Sequence, residues 1–155
     1  MKFLTDGNLG KLTKWLRILG YDAVVYQGTI DRHFLRYGFR EGRVVLTRRR
    51  DMAARNFLGT MYVIMSDHLP SQLHELIDNL SLDFDTGRFL SICLECNEAL
   101  QDIPKEDIKD LVPPYVFSTQ NHFRICPQCR KIFWAGTHKD NVIRFLTRHN
   151  LCRHL

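Results

Sequence analysis

Four cysteines stand in two identical spacings, Cys93-Leu94-Glu95-Cys96 and Cys126-Pro127-Gln128-Cys129. A C-x-x-C turn brings two sulfurs onto one ion at ~2.3 Å, and a second turn completes a tetrahedron. Four thiolates leave zinc no open position, so Cys93, Cys96, Cys126 and Cys129 are expected to hold a structural zinc. The competing reading is two redox pairs or simply buried cysteines. Cys152 is the odd cysteine. Its surroundings, His149-Asn150-Leu151-Cys152-Arg153-His154, read as a frayed, basic C-terminal tail, with a second metal site as the alternative.

The second chemistry-bearing set is acidic. Asp6, Asp31, Asp51 and Asp67 each follow an apolar run. Carboxylate oxygens are hard ligands suited to Mg²⁺ or Mn²⁺. Crowded carboxylates repel one another unless a cation neutralises them, and a cation so held activates water against a phosphodiester. Asp31, Asp51 and Asp67 have an alternative role as caps or first-turn acids of helices. Asp6 has no such clear role, because it ends a strand and precedes Gly7. Arg48-Arg49-Arg50 runs directly into Asp51. Three arginines there suit phosphate recognition, and at a helix start they oppose the dipole unless an anion binds.

The elements that must position these residues alternate in type. Residues 2–5, 23–26, 44–47 and 61–65 read as strands, apolar throughout, as strands covered on both faces are. Residues 8–19 read as a helix with Leu9, Leu12, Leu16 and Leu19 at helical spacing, closed by Gly20. Residues 31–40, 50–58 and 70–80 read as three further helices, the second opened by Asp31 and the fourth by Pro70. The β-α-β-α-β-α-β-α order predicts a parallel sheet with helices on both sides, and the aspartates then fall at its carboxyl edge, where ligand crevices form. After about residue 86 periodicity fades, until a last helix over 141–149. The expected division is a first domain over 1–86 and a zinc ribbon with a basic tail over 87–155.

Charge is uneven along the chain. The formal net charge is +5, and residues 1–60 hold 12 Lys/Arg against 5 Asp/Glu. Residues 61–86 hold 5 acids and no Lys or Arg, whereas residues 120–155 hold 7 basic residues against 1 acid. A polyanion such as RNA fits two basic stretches, and ordinary solvated faces are the bland alternative. No apolar run approaches the ~20 residues of a membrane span, and Asp6 interrupts any signal-peptide core. A cytoplasmic protein is expected, and there paired C-x-x-C units point to metal rather than disulfide.

The motifs together resemble the Mut-seven C-terminal ribonuclease family, a PIN-like domain fused to a zinc ribbon. The resemblance spans nearly the whole chain. It rests on Phe3-Leu4-Thr5-Asp6-Gly7-Asn8-Leu9-Gly10-Lys11-Leu12, on Trp15 to Asp22, and on Gly42-Arg43-Val44-Val45-Leu46-Thr47-Arg48. The ribbon adds Cys93-Leu94-Glu95-Cys96-Asn97, Val112-Pro113-Pro114, Cys126-Pro127-Gln128-Cys129 and Trp134-Ala135-Gly136-Thr137-His138. It implies a PIN-like fold and cleavage of RNA dependent on Mg²⁺ or Mn²⁺. By position, Asp6 matches the family's first acid and Asp31 the acid of the second helix. After the Thr-Arg pair the family often has an acid; this chain has Arg49, and Asp51 is the substitute.

The leading expectation is therefore a metal-dependent ribonuclease with Asp6, Asp31 and Asp51 at its centre. Lys11, Lys14, Arg17, Arg48 and Arg50 would hold the RNA backbone, and Arg130 and Lys131 of the ribbon would extend the track. Phe123, Phe133 and Trp134 are aromatics that either stack on bases or pack a core. The alternative is a non-catalytic RNA-binding module with a degenerate acid site. A phosphatase using Asp6 as nucleophile fits poorly, since Asn8 stands where a second acid is wanted.

Overall fold

The computed structural model describes residues 1–152. Four strands, β1 (Lys2–Thr5), β2 (Asp22–Val25), β3 (Val44–Thr47) and β4 (Met61–Val63), form a parallel sheet in the order β2-β1-β3-β4. Helices α1 (Gly10–Ile18), α2 (Arg32–Arg40) and α3 (Leu69–Leu80) flank it. Successive side chains alternate across the sheet. Phe3 and Leu46 face one layer with Leu12 and Leu16 of α1 and Leu73 and Leu76 of α3. Leu4 and Val45 face the other with Phe34 and Leu35 of α2. Both faces are covered, which is why the strands carry no polar alternation. The expected parallel α/β sheet flanked by helices is what the chain forms.

The end of α1 shows how the sequence sets a turn. Gly20 takes φ +87°, its N–H donates to the Arg17 carbonyl at 3.0 Å, and the Tyr21 N–H donates to the Leu16 carbonyl at 2.9 Å. This is the Schellman closure that a left-handed glycine allows.

Two expected elements are shorter than the sequence implied. Residues 50–58 do not form a helix; only a 3₁₀ stretch, Arg50–Ala54, is present. Met52 is buried, but Arg55 and Asn56, at the i+3 and i+4 positions, are exposed, so the segment has no apolar stripe to bury as a helix. The fourth strand stops at Val63 rather than reaching Met65. The N–H groups of Met65 and Ser66 turn instead to the Glu75 carboxylate of α3, at 2.9 and 2.7 Å.

After α3 the chain builds a second, antiparallel sheet of β5 (Gln101–Ile103), β6 (Phe123–Ile125) and β7 (Ile132–Trp134), beside the short helix α4 (Pro114–Thr119). Its own core centres on Ile108, Val112 and Phe123. So small a core is short of apolar burial, and the four-cysteine cluster beside it is where a metal could staple it. The last helix, α5 (His138–Arg148), then returns to the first sheet. Val142 and Leu146 join the cluster of α1 and α3, and the Phe145 ring lies 4.1 Å from that of Trp15. Leu151 is buried there and Cys152 packs against the same cluster, so the chain is anchored up to Cys152 rather than fraying. The Arg153 and His154 of the expected tail lie outside the described residues.

Candidate metal centre and candidate acid site

The two C-x-x-C turns are built alike. In the first, the Asn97 N–H donates to the Cys93 carbonyl at 2.9 Å; in the second, the Arg130 N–H donates to the Cys126 carbonyl at 3.0 Å. Asn97 and Arg130 both take φ 62°, the left-handed turn that swings the chain back. The Cys93 N–H donates to the Glu98 carbonyl at 2.8 Å and the Cys126 N–H to the Lys131 carbonyl at 3.0 Å, closing each turn as a small hairpin. All four Sγ atoms lie within 4.8 Å of one another, and Cys93 and Cys129 are 3.8 Å apart at sulfur. A tetrahedron with metal–sulfur bonds of ~2.3 Å has edges of about 3.8 Å, so this donor set fits a four-thiolate zinc. Burial pushes the Cys126 thiol up, but the N–H groups of Cys129 and Gln128 and the thiols of Cys129 and Cys93 outweigh it and bring it down to about 7.

The first knuckle is bolted to the parallel sheet. Arg17 of α1 donates from Nε to the Ala23 carbonyl at 2.8 Å, and from Nη1 to the Leu94 and Glu95 carbonyls at 2.6 and 3.1 Å. Those last two carbonyls lie between the paired cysteines. Asn97 reaches β2 twice, accepting from the Ala23 N–H at 2.9 Å and donating to Asp22 Oδ1 at 2.5 Å. Asp22 in turn holds Arg43 at 2.7 Å. Burial pushes the Asp22 carboxyl up, but the hydrogen bonds from Arg43 and Asn97 win and hold it below its ordinary value of 3.8. Sequence reasoning missed this cluster. Asn97 followed a cysteine pair and Asp22 opened a strand, and neither position signals a partner some seventy residues away in the chain.

The acid site lies at the carboxyl ends of β1 and β3, where the strand order reverses direction. That point is the ordinary ligand crevice of an open parallel sheet. Asp6 sits in it, fully buried. Its Oδ2 accepts from the Thr47 hydroxyl at 2.6 Å and the Arg48 N–H at 2.7 Å; its Oδ1 accepts from the Asn8 N–H at 2.9 Å. Asp6 is therefore a cap after all, opening the 3₁₀ turn Gly7–Leu9 while tying β1 to β3. Asp31 caps α2 through the His33 N–H at 2.7 Å, which holds its carboxyl low. Asp51 is gripped by Arg49 at 3.0 and 2.6 Å, and Arg49 holds its carboxyl low in turn. Arg49 also donates to the Ile30 carbonyl at 3.0 Å and feels the charge of Asp6. One guanidinium thus links Asp51 to the Ile30 carbonyl, next in the chain to Asp31. Among the described residues only the four cysteines gather three or more metal-donor groups within 4.8 Å. The carboxylates offer the right oxygens at the right edge, but as arranged they are not a ready site for Mg²⁺ or Mn²⁺.

The cations fall into two groups. Lys11 and Lys14 are exposed on α1, and Arg50 is exposed beside the acid crevice. Arg17, on the same helix, is half-buried and holds three backbone carbonyls with its guanidinium. Arg48 is tied to the Ser66 carbonyl and to Asp67, and Lys131 to Glu95. Arg130 is exposed at the turn of the second knuckle. Phe123 is buried in the ribbon core and Trp134 packs against it, whereas Phe133 lines a cavity. Among the described residues no helix is long and apolar enough to cross a membrane.

Neither curated proteins nor solved structures gave a match to this chain. A family model described as the Mut7-C RNAse domain matches residues 1–146. That match takes in the acid crevice, both cysteine knuckles and most of the returning helix: the chain belongs to the Mut7-C RNAse domain family.

Proposed function

We propose that the protein is a ribonuclease that cleaves RNA at the crevice between β1 and β3, with Asp6 as its central acid. The observation that carries this reading is the placement of Asp6. A fully buried carboxylate stands at the strand-order reversal of a family described as an RNAse domain, flanked by three consecutive arginines. A phosphodiester entering the crevice meets Arg49 and Arg50. If Arg49 exchanges the Asp51 carboxylate for a phosphate oxygen, Asp51 is released beside Asp6 and Asp31. These three are the acids that would hold Mg²⁺ or Mn²⁺, which when bound neutralises phosphate charge and lowers the pKa of water. Lys11 and Lys14 extend the backbone contact, and a zinc-stapled ribbon contributes Arg130 and Lys131.

The test is cleavage of labelled single-stranded and hairpin RNA by the whole protein with Mg²⁺ or Mn²⁺, set against Asp6→Asn and Asp31→Asn. Loss of turnover in both variants and in EDTA, with RNA binding retained, supports the reading. Equal background in all samples sinks it. One observation favours a second reading, an RNA-binding module without turnover: Asp51, one of the three acids, is already paired with Arg49. That reading predicts tight, salt-sensitive binding and no cleavage at any cation concentration.

A further inference from the structure

The structure assigns a second RNA contact, a pocket for a single unstacked nucleobase where the ribbon meets the segment that follows α3; this rests on the RNA reading above. A cavity of about 380 Å³ lies there, within the range of small-molecule sites. Its apolar walls include Leu90, Leu94, Phe133 and Trp134. Two of those are aromatic, and neither is fully buried, so each keeps surface to offer a flat ligand. The polar part of the lining is cationic or imidazole in character: Arg124, Lys139, His122 and His138, with no acid among the lining residues. The exposed Asp102 lies 3.4 Å from Arg124, on the neighbouring strand.

Aromatic walls with basic groups beside them match a nucleotide, whose base stacks while its phosphate takes the cations. A purely apolar ligand would leave the cations unused, and a bare anion would leave the rings unused. Backbone conformation gives an independent pointer. Leu90 takes φ 56°, rare for a branched side chain, and is fixed there by donating its N–H to the Ile18 carbonyl at 2.8 Å. Backbone held in such a region persists only where its surroundings enforce it, and such residues cluster at ligand sites.

Trp134 can report on the pocket directly. The chain has two tryptophans, and Trp15→Phe leaves Trp134 alone. In that otherwise whole protein, adenosine 5′-monophosphate and uridine 5′-monophosphate should quench Trp134 fluorescence saturably, with Kd on the order of 1 mM. Ribose 5-phosphate and inorganic phosphate should not. Phe133→Ala should weaken nucleotide binding by about 10-fold, within the range of one base–aromatic stack. Lys139→Gln should weaken it less and reduce its salt dependence, and it decides the matter if Phe133→Ala fails to fold. Quenching by ribose 5-phosphate as strong as by nucleotides would overturn the base pocket in favour of a plain anion site. No saturable response, or a response unchanged in the folded variants, overturns it outright. The readout is separate from cleavage: quenching without turnover loses the ribonuclease reading alone, and turnover without quenching loses the pocket alone.

Discussion

Arg17→Ala should unfasten the first cysteine knuckle from the parallel sheet. The guanidinium makes three bonds to backbone carbonyls, at 2.8, 2.6 and 3.1 Å. Hydrogen bonds to charged groups are worth about 1.5–3 kcal/mol each when isolated. The side chain is only half-buried, and the freed carbonyls regain water, so the sum is discounted to about 3 kcal/mol for the whole residue. A second effect falls on metal. The Leu94 and Glu95 carbonyls belong to the turn that aims Cys93 and Cys96, and Arg17 also feels the charge of both sulfurs. Losing a group that orients metal ligands costs about 10–100-fold in affinity, and the lower end is expected here because Asn97 still holds the same turn. Urea unfolding of the zinc-loaded protein measures the first quantity, and competition with a chromogenic chelator measures the second. A stability change within about 0.5 kcal/mol of zero, together with unchanged zinc affinity, would show that the knuckle needs no bolt and would refute the reasoning.

Gly20→Ala should destabilise by at least about 2 kcal/mol in thermal unfolding, because φ +87° is strained for alanine and the added Cβ would run into the Arg88 carbonyl oxygen. The pH dependence has a definite sign at Asp22. Its folded value lies below 3.8, so it stabilises above that pH and the contribution disappears as pH falls toward the folded value; Asp22→Asn should lose stability at about pH 6 and narrow its gap to wild type below about pH 4. Chelation, or Cys126→Ser, should unfold the ribbon core around Phe123 while the parallel sheet keeps most of its far-ultraviolet signal, since the two cores are separate clusters. Retained Trp134 environment after complete metal removal would contradict that.

What could be read from the chain, and what could not, divides by the range of the interaction. The strands and α1 to α3 were legible because each is written locally. Leu12 and Leu16 sit one turn apart, Val44 to Thr47 is unbroken, and Pro70 opens α3. The knuckles were legible because spacing alone fixes them. The stretch 50–58 is read as a helix from its place between two strands, but its exposed Arg55 and Asn56 leave no apolar stripe to bury. Asp6 stands out in the sequence at the end of a strand, but its partners do not: the donors that tie it across the sheet are Thr47 and Arg48, brought beside it by strand pairing. Arg49 stands out in the sequence where the family often has an acid. That its guanidinium would span Asp51 and the Ile30 carbonyl follows only from the sheet order.

The return of α5 to the sheet has a consequence for how the protein comes into being. Trp15 and Phe145 meet across nearly the full length of the chain. At synthesis rates of about 5–20 residues per second, the face of α1 that receives Phe145 stays bare on the order of 10 seconds while the ribbon is made. The nascent sheet is therefore sealed late, and its sealing waits on a segment that is made only after both cysteine knuckles. Until the returning helix arrives, an apolar face of the new chain lies open to aggregation at the moment of birth.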